Sequence, residues 1–96
     1  MNVNVLSQKS SYEVRAFFTK EYEMLLISIL TKLGIEISFP TELEELILKI
    51  PEEKHIFNEC QKAYYMINEN IKSHIEDLIE IYQKLLKFEK DLSCKR

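Results

Sequence analysis

At 96 residues, with 46% hydrophobic and 30% charged side chains, the chain has the composition of one small globular domain and too little length for two. One glycine and two prolines supply too few turns for an all-β fold, so an all-α bundle is expected. Thirteen basic against sixteen acidic residues leave a net charge of −3, which gives no general attraction to phosphate backbones and makes nucleic acid an unexpected partner.

Met1 to Ser11 has no basic region followed by a long apolar stretch, so it does not read as a secretory signal. No window supplies the roughly 18 to 20 apolar residues that span a bilayer, so no membrane association is expected and the cytoplasm is the expected compartment. Residues 1–9, with Val3, Val5 and Leu6, carry no helical pattern and are expected to form an extended or disordered arm.

Ser10-Ser11-Tyr12-Glu13 fits the capping box, in which a serine side chain bonds the amide three residues on while the glutamate reaches back. A first helix is therefore predicted over 10–33, with Val14, Phe17, Phe18, Tyr22, Leu25, Leu26, Ile29, Leu30 and Leu33 recurring at helical spacing. Gly34, the only glycine, stands where a left-handed C-terminal cap is needed, and Lys32 suits the negative end of the dipole. Pro40 and the box Thr41-Glu42-Leu43-Glu44 predict a second helix over 41–50, capped by Thr41, with Leu43, Leu46, Ile47 and Ile50 facing inward. Pro51 then ends that helix and opens a third, predicted over 52–92, with Glu52 and Glu53 in its first turn.

The third segment is the most informative. Phe57, Cys60, Tyr64, Ile67, Ile71, His74, Leu78, Ile81, Leu85, Phe88 and Leu92 fall three and four apart on one seam, with no Gly or Pro inside the run. As one straight helix, the stretch from Lys54 to Leu92 would be roughly 58 Å long. Asn68-Glu69-Asn70 is its weakest point for helix propensity, and a break there would turn a three-helix bundle into one of four. Beyond Ile71 the apolar surface widens with Ile75, Ile79, Tyr82 and Leu86, whereas Tyr64, Tyr65 and Met66 flank a narrower stripe in the first half. That first half is the better contact for a second molecule, and Phe57, Cys60, Tyr64, Tyr65, Ile67, Ile71 and His74 are the candidate interface residues. An unbroken helix of this length outreaches its neighbours, so a homodimer is expected.

Signals for chemistry are weak beside the seam. His74 sits within it, where a polar residue fixes register or finds a core hydrogen bond. Glu52-Glu53-Lys54-His55 has the Glu-x-x-His spacing of carboxylate-bridged metal bundles, but those need a second copy and Ile71 stands three before His74. No metal or cofactor is expected. Cys60 reads as a small hydrophobe, and a straight helix would hold it about 50 Å from Cys94, so both are read as free thiols. No phosphate-binding glycine loop is possible with one glycine.

Ala16-Phe17-Phe18, Glu23, Ile29-Leu30-Thr31-Lys32-Leu33-Gly34-Ile35-Glu36 and Phe39-Pro40-Thr41-Glu42-Leu43-Glu44-Glu45-Leu46 resemble a stretch of the HEPN family of small helical bundles. The resemblance covers Ala16 to Ile50, about a third of the chain. It implies a dimerising bundle, often partnered with a nucleotidyltransferase or acting in toxin and antitoxin systems. Catalytic members resemble one another in an Arg followed four to six residues later by His, the pair that cleaves RNA. Here Arg15 and Arg96 are the only arginines and neither is followed by such a His, so no catalytic residue carries over and a reduced, non-catalytic version is implied. The favoured reading is a small interaction protein that self-associates or binds a partner protein through the apolar seam. One alternative is an RNA-cleaving or nucleotide-binding toxin or antitoxin component with a non-standard site near Arg15 and His74. Another is a structural coiled-coil protein of a virus or secretion system.

Overall fold

The computed structural model describes the backbone of residues 3–94 and the side chains of residues 4–93. Met1 and Asn2 of the expected arm, the Cys94 thiol and Arg96 lie outside these described residues. Five α-helices and one 3-10 turn follow in order, with no strand among the described residues: α1 (Val3–Ser7), α2 (Ser11–Lys32), α3 (Leu43–Leu48), α4 (Ile56–Asn68), the 3-10 turn (Ile71–His74) and α5 (Ile75–Cys94). The all-α bundle read from the sequence is the fold observed.

α2 is the central element. It starts as its capping box dictates: the Ser10 Oγ accepts the Glu13 backbone N–H at 3.2 Å and also lies 3.2 Å from the Glu13 carboxylate. It ends in a Schellman motif, the Ile35 N–H donating to the Leu30 carbonyl and the Gly34 N–H to the Thr31 carbonyl, with Gly34 at φ 80°. Between these caps Val14, Phe18, Tyr22, Leu25, Leu26, Ile29 and Leu30 are buried, and α3, α4 and α5 all pack against them. The buried Tyr22 phenol donates to the Leu78 carbonyl on α5, and its ring meets Tyr82 edge-on with centroids 5.7 Å apart. Burial raises the Tyr22 hydroxyl above the ordinary phenol range.

The expected helix over 52–92 does not exist as one piece. α4 stops at Asn68, Glu69 turns extended, and Asn70 takes the left-handed conformation at φ 52° and ψ 47°. Asparagine tolerates that region better than other side chains because its short amide bonds locally. The side-chain amide of Asn68 turns back to the Tyr64 carbonyl at 2.8 Å, and Arg15 reaches across from α2 to donate to the Ile67 carbonyl at 3.1 Å. Two carbonyls at the end of α4 thus gain side-chain donors. The reversal lets α4 and α5 pack together, and it places Ile71, Ile75, Leu78, Ile81 and Leu85 in the same core as α2.

Three smaller expectations also need correction. Residues 3–7 form α1 rather than an extended arm, held by Leu6, which is buried, with α1 packed on α5. Thr41 does not cap the second helix: its hydroxyl donates backward to the Ser38 carbonyl, Glu42 takes the cap position without a side-chain bond, and the helix spans Leu43–Leu48. Pro51 opens a turn closed by the Lys54 N–H on its carbonyl at 3.0 Å, and α4 begins only at Ile56. Glu52, Glu53 and Lys54 bring no apolar side chain that could offset the entropy of ordering a helical turn there.

Candidate interaction surface

α4 has two stripes. Ile56, Cys60, Ala63 and Ile67 face the core at no more than 1% exposure, while Gln61, Tyr64, Tyr65 and Asn68 run along a second face and Glu69 follows at its end. On α3 the stripe Leu43, Leu46, Ile47 and Ile50 is buried as read, but Leu48 points outward at 67% exposure. The outer edges of α3 and α4 form an open groove of about 460 Å³, lined by Glu44, Ile47, Leu48, Gln61, Tyr64, Tyr65, Asn68 and Glu69. Among the described residues the exposed large apolar side chains are Val5, Tyr12, Met24, Phe39, Leu48 and Tyr65, and the last two share this groove. Two such side chains on one groove, together with half-buried Tyr64, make a patch rather than scattered exposure.

The rim is acidic. The Tyr64 hydroxyl lies 3.4 Å from the Glu44 Oε2, and the Tyr65 hydroxyl lies 3.4 Å from the Glu69 Oε2. Partial desolvation, and then the Glu44 and Glu42 charges, push the Tyr64 hydroxyl above the ordinary phenol range, so at neutral pH it remains a donor. Among the described residues no Lys, Arg or His lines the groove.

The seven residues predicted to form an interface divide sharply. Tyr64 and Tyr65 stand on the groove. Cys60, Ile67 and Ile71 are each 1% exposed, so the chain's own core already covers them and they present nothing to a second molecule. Phe57 is half-buried against that core, and half-buried His74 lies 3.9 Å from Asp77, one turn on. The fold-back at Asn70 is the cause, because it supplies from within one chain the cover that a straight helix would have sought from another. The apolar seam does not point to Leu48, Gln61 or Glu44 as groove residues, although Leu48 is legible: it is the apolar residue off the inward stripe of α3.

The remaining reactive types have structural surroundings. The Cys60 thiol is pushed up to about 12 by burial and by Glu59, which keeps it protonated and inert at neutral pH. His55 meets Phe88 edge-on at 5.5 Å beside a second groove lined by His55, Ile56, Glu59, Lys84, Lys87, Phe88 and Asp91. In that groove Lys84 lies 4.0 Å from Glu59 and 3.8 Å from Glu80, so its charge is met within the chain. Among the described residues no three His, Cys, Asp or Glu side chains are placed to hold a metal ion, and no helix is long and apolar enough to cross a membrane. No family model, no curated protein and no solved structure matches this chain.

Proposed function

We propose that the chain is a protein-interaction module that docks a segment of a partner protein into the α3–α4 groove. The observation that carries the reading is the pairing of Leu48 and Tyr65, exposed at 67% and 63%, on one groove between two helices whose other faces are fixed in the core. Aromatic side chains with a polar tip are favoured contacts because they bury large area at low entropic cost. Binding is favoured over chemistry because Arg15 is engaged at the end of α4, His74 lies beside Asp77 and the Cys60 thiol is held protonated. A non-catalytic, HEPN-like partner subunit is the form of this reading that the resemblance over Ala16 to Ile50 supports.

A photo-crosslinking residue placed at Tyr65 in the native host tests it, with the same residue at Tyr12 as control. A discrete protein adduct from position 65, lost when Leu48→Asp is added and absent from position 12, is the expected outcome. No Leu48-dependent adduct, or RNA cleavage by the purified chain that Arg15→Ala and His74→Ala both abolish with helical content unchanged, would overturn it.

A further inference from the structure

We infer that the occupant of the α3–α4 groove is a lysine- or arginine-bearing amphipathic helix of a partner protein, about two turns of which lie along α4. The inference rests on the docking reading above and adds the chemistry of the partner. Length comes first: the lining residues on α4 run from Gln61 to Asn68, seven steps or about 10 Å of helix, which matches an apolar stripe two turns long. Charge comes second. Glu44 on α3 and Glu69, the extended residue that follows α4, both line the groove, and each has one carboxylate oxygen within 3.4 Å of a tyrosine hydroxyl. Each carboxylate keeps a second oxygen for a cation that arrives with the ligand, since an ionised carboxyl accepts at both atoms. The second groove lacks this character, because Lys84 there is already met by Glu59.

A second copy of this chain fits the groove poorly. A two-fold pairing brings the same surface to itself, so Glu44 and Glu69 would face the acidic rim of the other copy. A cationic helix meets the same rim with opposite charge and gains encounter rate as well as register.

The test uses the full chain and three fluorescein-labelled helical peptides of one apolar pattern, leucines spaced three and four apart, flanked by lysine, glutamine or glutamate. Affinities are read by anisotropy against wild type, Glu44→Gln with Glu69→Gln, and Leu48→Asp, all exposed positions, with circular dichroism confirming the fold. In wild type at low salt the lysine peptide should bind about fivefold tighter than the glutamine peptide, and the glutamate peptide weakest. The gap should close to within about twofold in the double glutamine variant and in high salt, and Leu48→Asp should abolish binding of all three. Equal affinity of the lysine and glutamine peptides for wild type would overturn the charge assignment while leaving the docking reading standing. A Leu48-dependent dimer in light scattering would assign the groove to a second copy and overturn the inference, and so would failure of the lysine peptide to bind.

Discussion

Ile71 is the first side chain after the chain reverses, and at 1% exposure it is surrounded by core. Ile71→Asp should cost roughly 3 kcal/mol or more, because a carboxylate there has neither water nor an opposite charge. Two residues earlier Glu69 is exposed and its carboxylate meets the Tyr65 hydroxyl at 3.4 Å, so Glu69→Ala should stay within about 0.5 kcal/mol. Urea denaturation of the two variants checks the contrast, and equal midpoints would contradict it. Residue identity was legible at this scale wherever a position sits on a regular stripe, as Ile71, Leu78 and Leu85 do. It failed for Cys60 and Ile67, correctly read as seam residues but assigned to an interface. A periodic pattern states that a face is covered; which surface covers it is a long-range fact, decided here by one left-handed residue.

Between elements, local chemistry set the boundaries it could set alone. Ser10 with Glu13 and Gly34 with its two backbone bonds delimit α2 because caps involve residues within a turn of each other. Thr41-Glu42-Leu43-Glu44 has the same box signature, yet the helix starts one residue later, with Glu42 at the cap position and the Thr41 hydroxyl turned to the Ser38 carbonyl, an arrangement that spacing alone does not reveal. α1 was unreadable because five residues with one buried leucine carry no period. The groove was half legible for the same reason: Tyr64 and Tyr65 belong to a long pattern, whereas Glu44 meets Tyr64 only once α3 and α4 are packed. Packing also ties α2 to α5 at their far ends, where the Lys32 Nζ lies 3.1 Å from the Glu89 carboxylate and also reaches Ser93. Hydrogen bonds from Lys32 and Ser28, in that order, hold the Glu89 carboxyl below its ordinary range. A carboxyl lowered by folding contributes its stability above its unfolded value of about 4.3 and loses it as pH falls through the lower folded value. Glu89→Gln should therefore lower the melting temperature slightly at pH 7 and converge with wild type in acid, once pH has fallen through that lowered folded value, measured by thermal scans from neutral pH downward. A constant gap between the two at every pH would show that the carboxylate charge is not what the contact uses.

The whole molecule measures 40 × 26 × 19 Å with a radius of gyration of 13.3 Å, close to the roughly 13 Å of a compact chain this long. A helix of roughly 58 Å cannot fit inside 40 Å, so the geometric ground for expecting a dimer, an overhanging helix end, is removed by the turn at Asn70. The same turn makes the joint between α4 and α5 the place at which a domain swap would open. Its extended Glu69 and left-handed Asn70 interrupt a sequence that otherwise reads as helix on both sides. If those two residues favoured helix, α4 and α5 would fuse, and α5 would leave its own α2 to lie on the α2 of a neighbour. The packing of α5 on α2 would survive, made between chains instead of within one, which is why such swaps cost little. Glu69→Ala with Asn70→Ala, refolded at high concentration, should thus populate a species of twice the 11.5 kDa monomer mass in light scattering, while wild type stays at the monomer mass. A double variant that remained monomeric under those conditions would mean that the core around Ile71, rather than the backbone of Asn70, imposes the reversal.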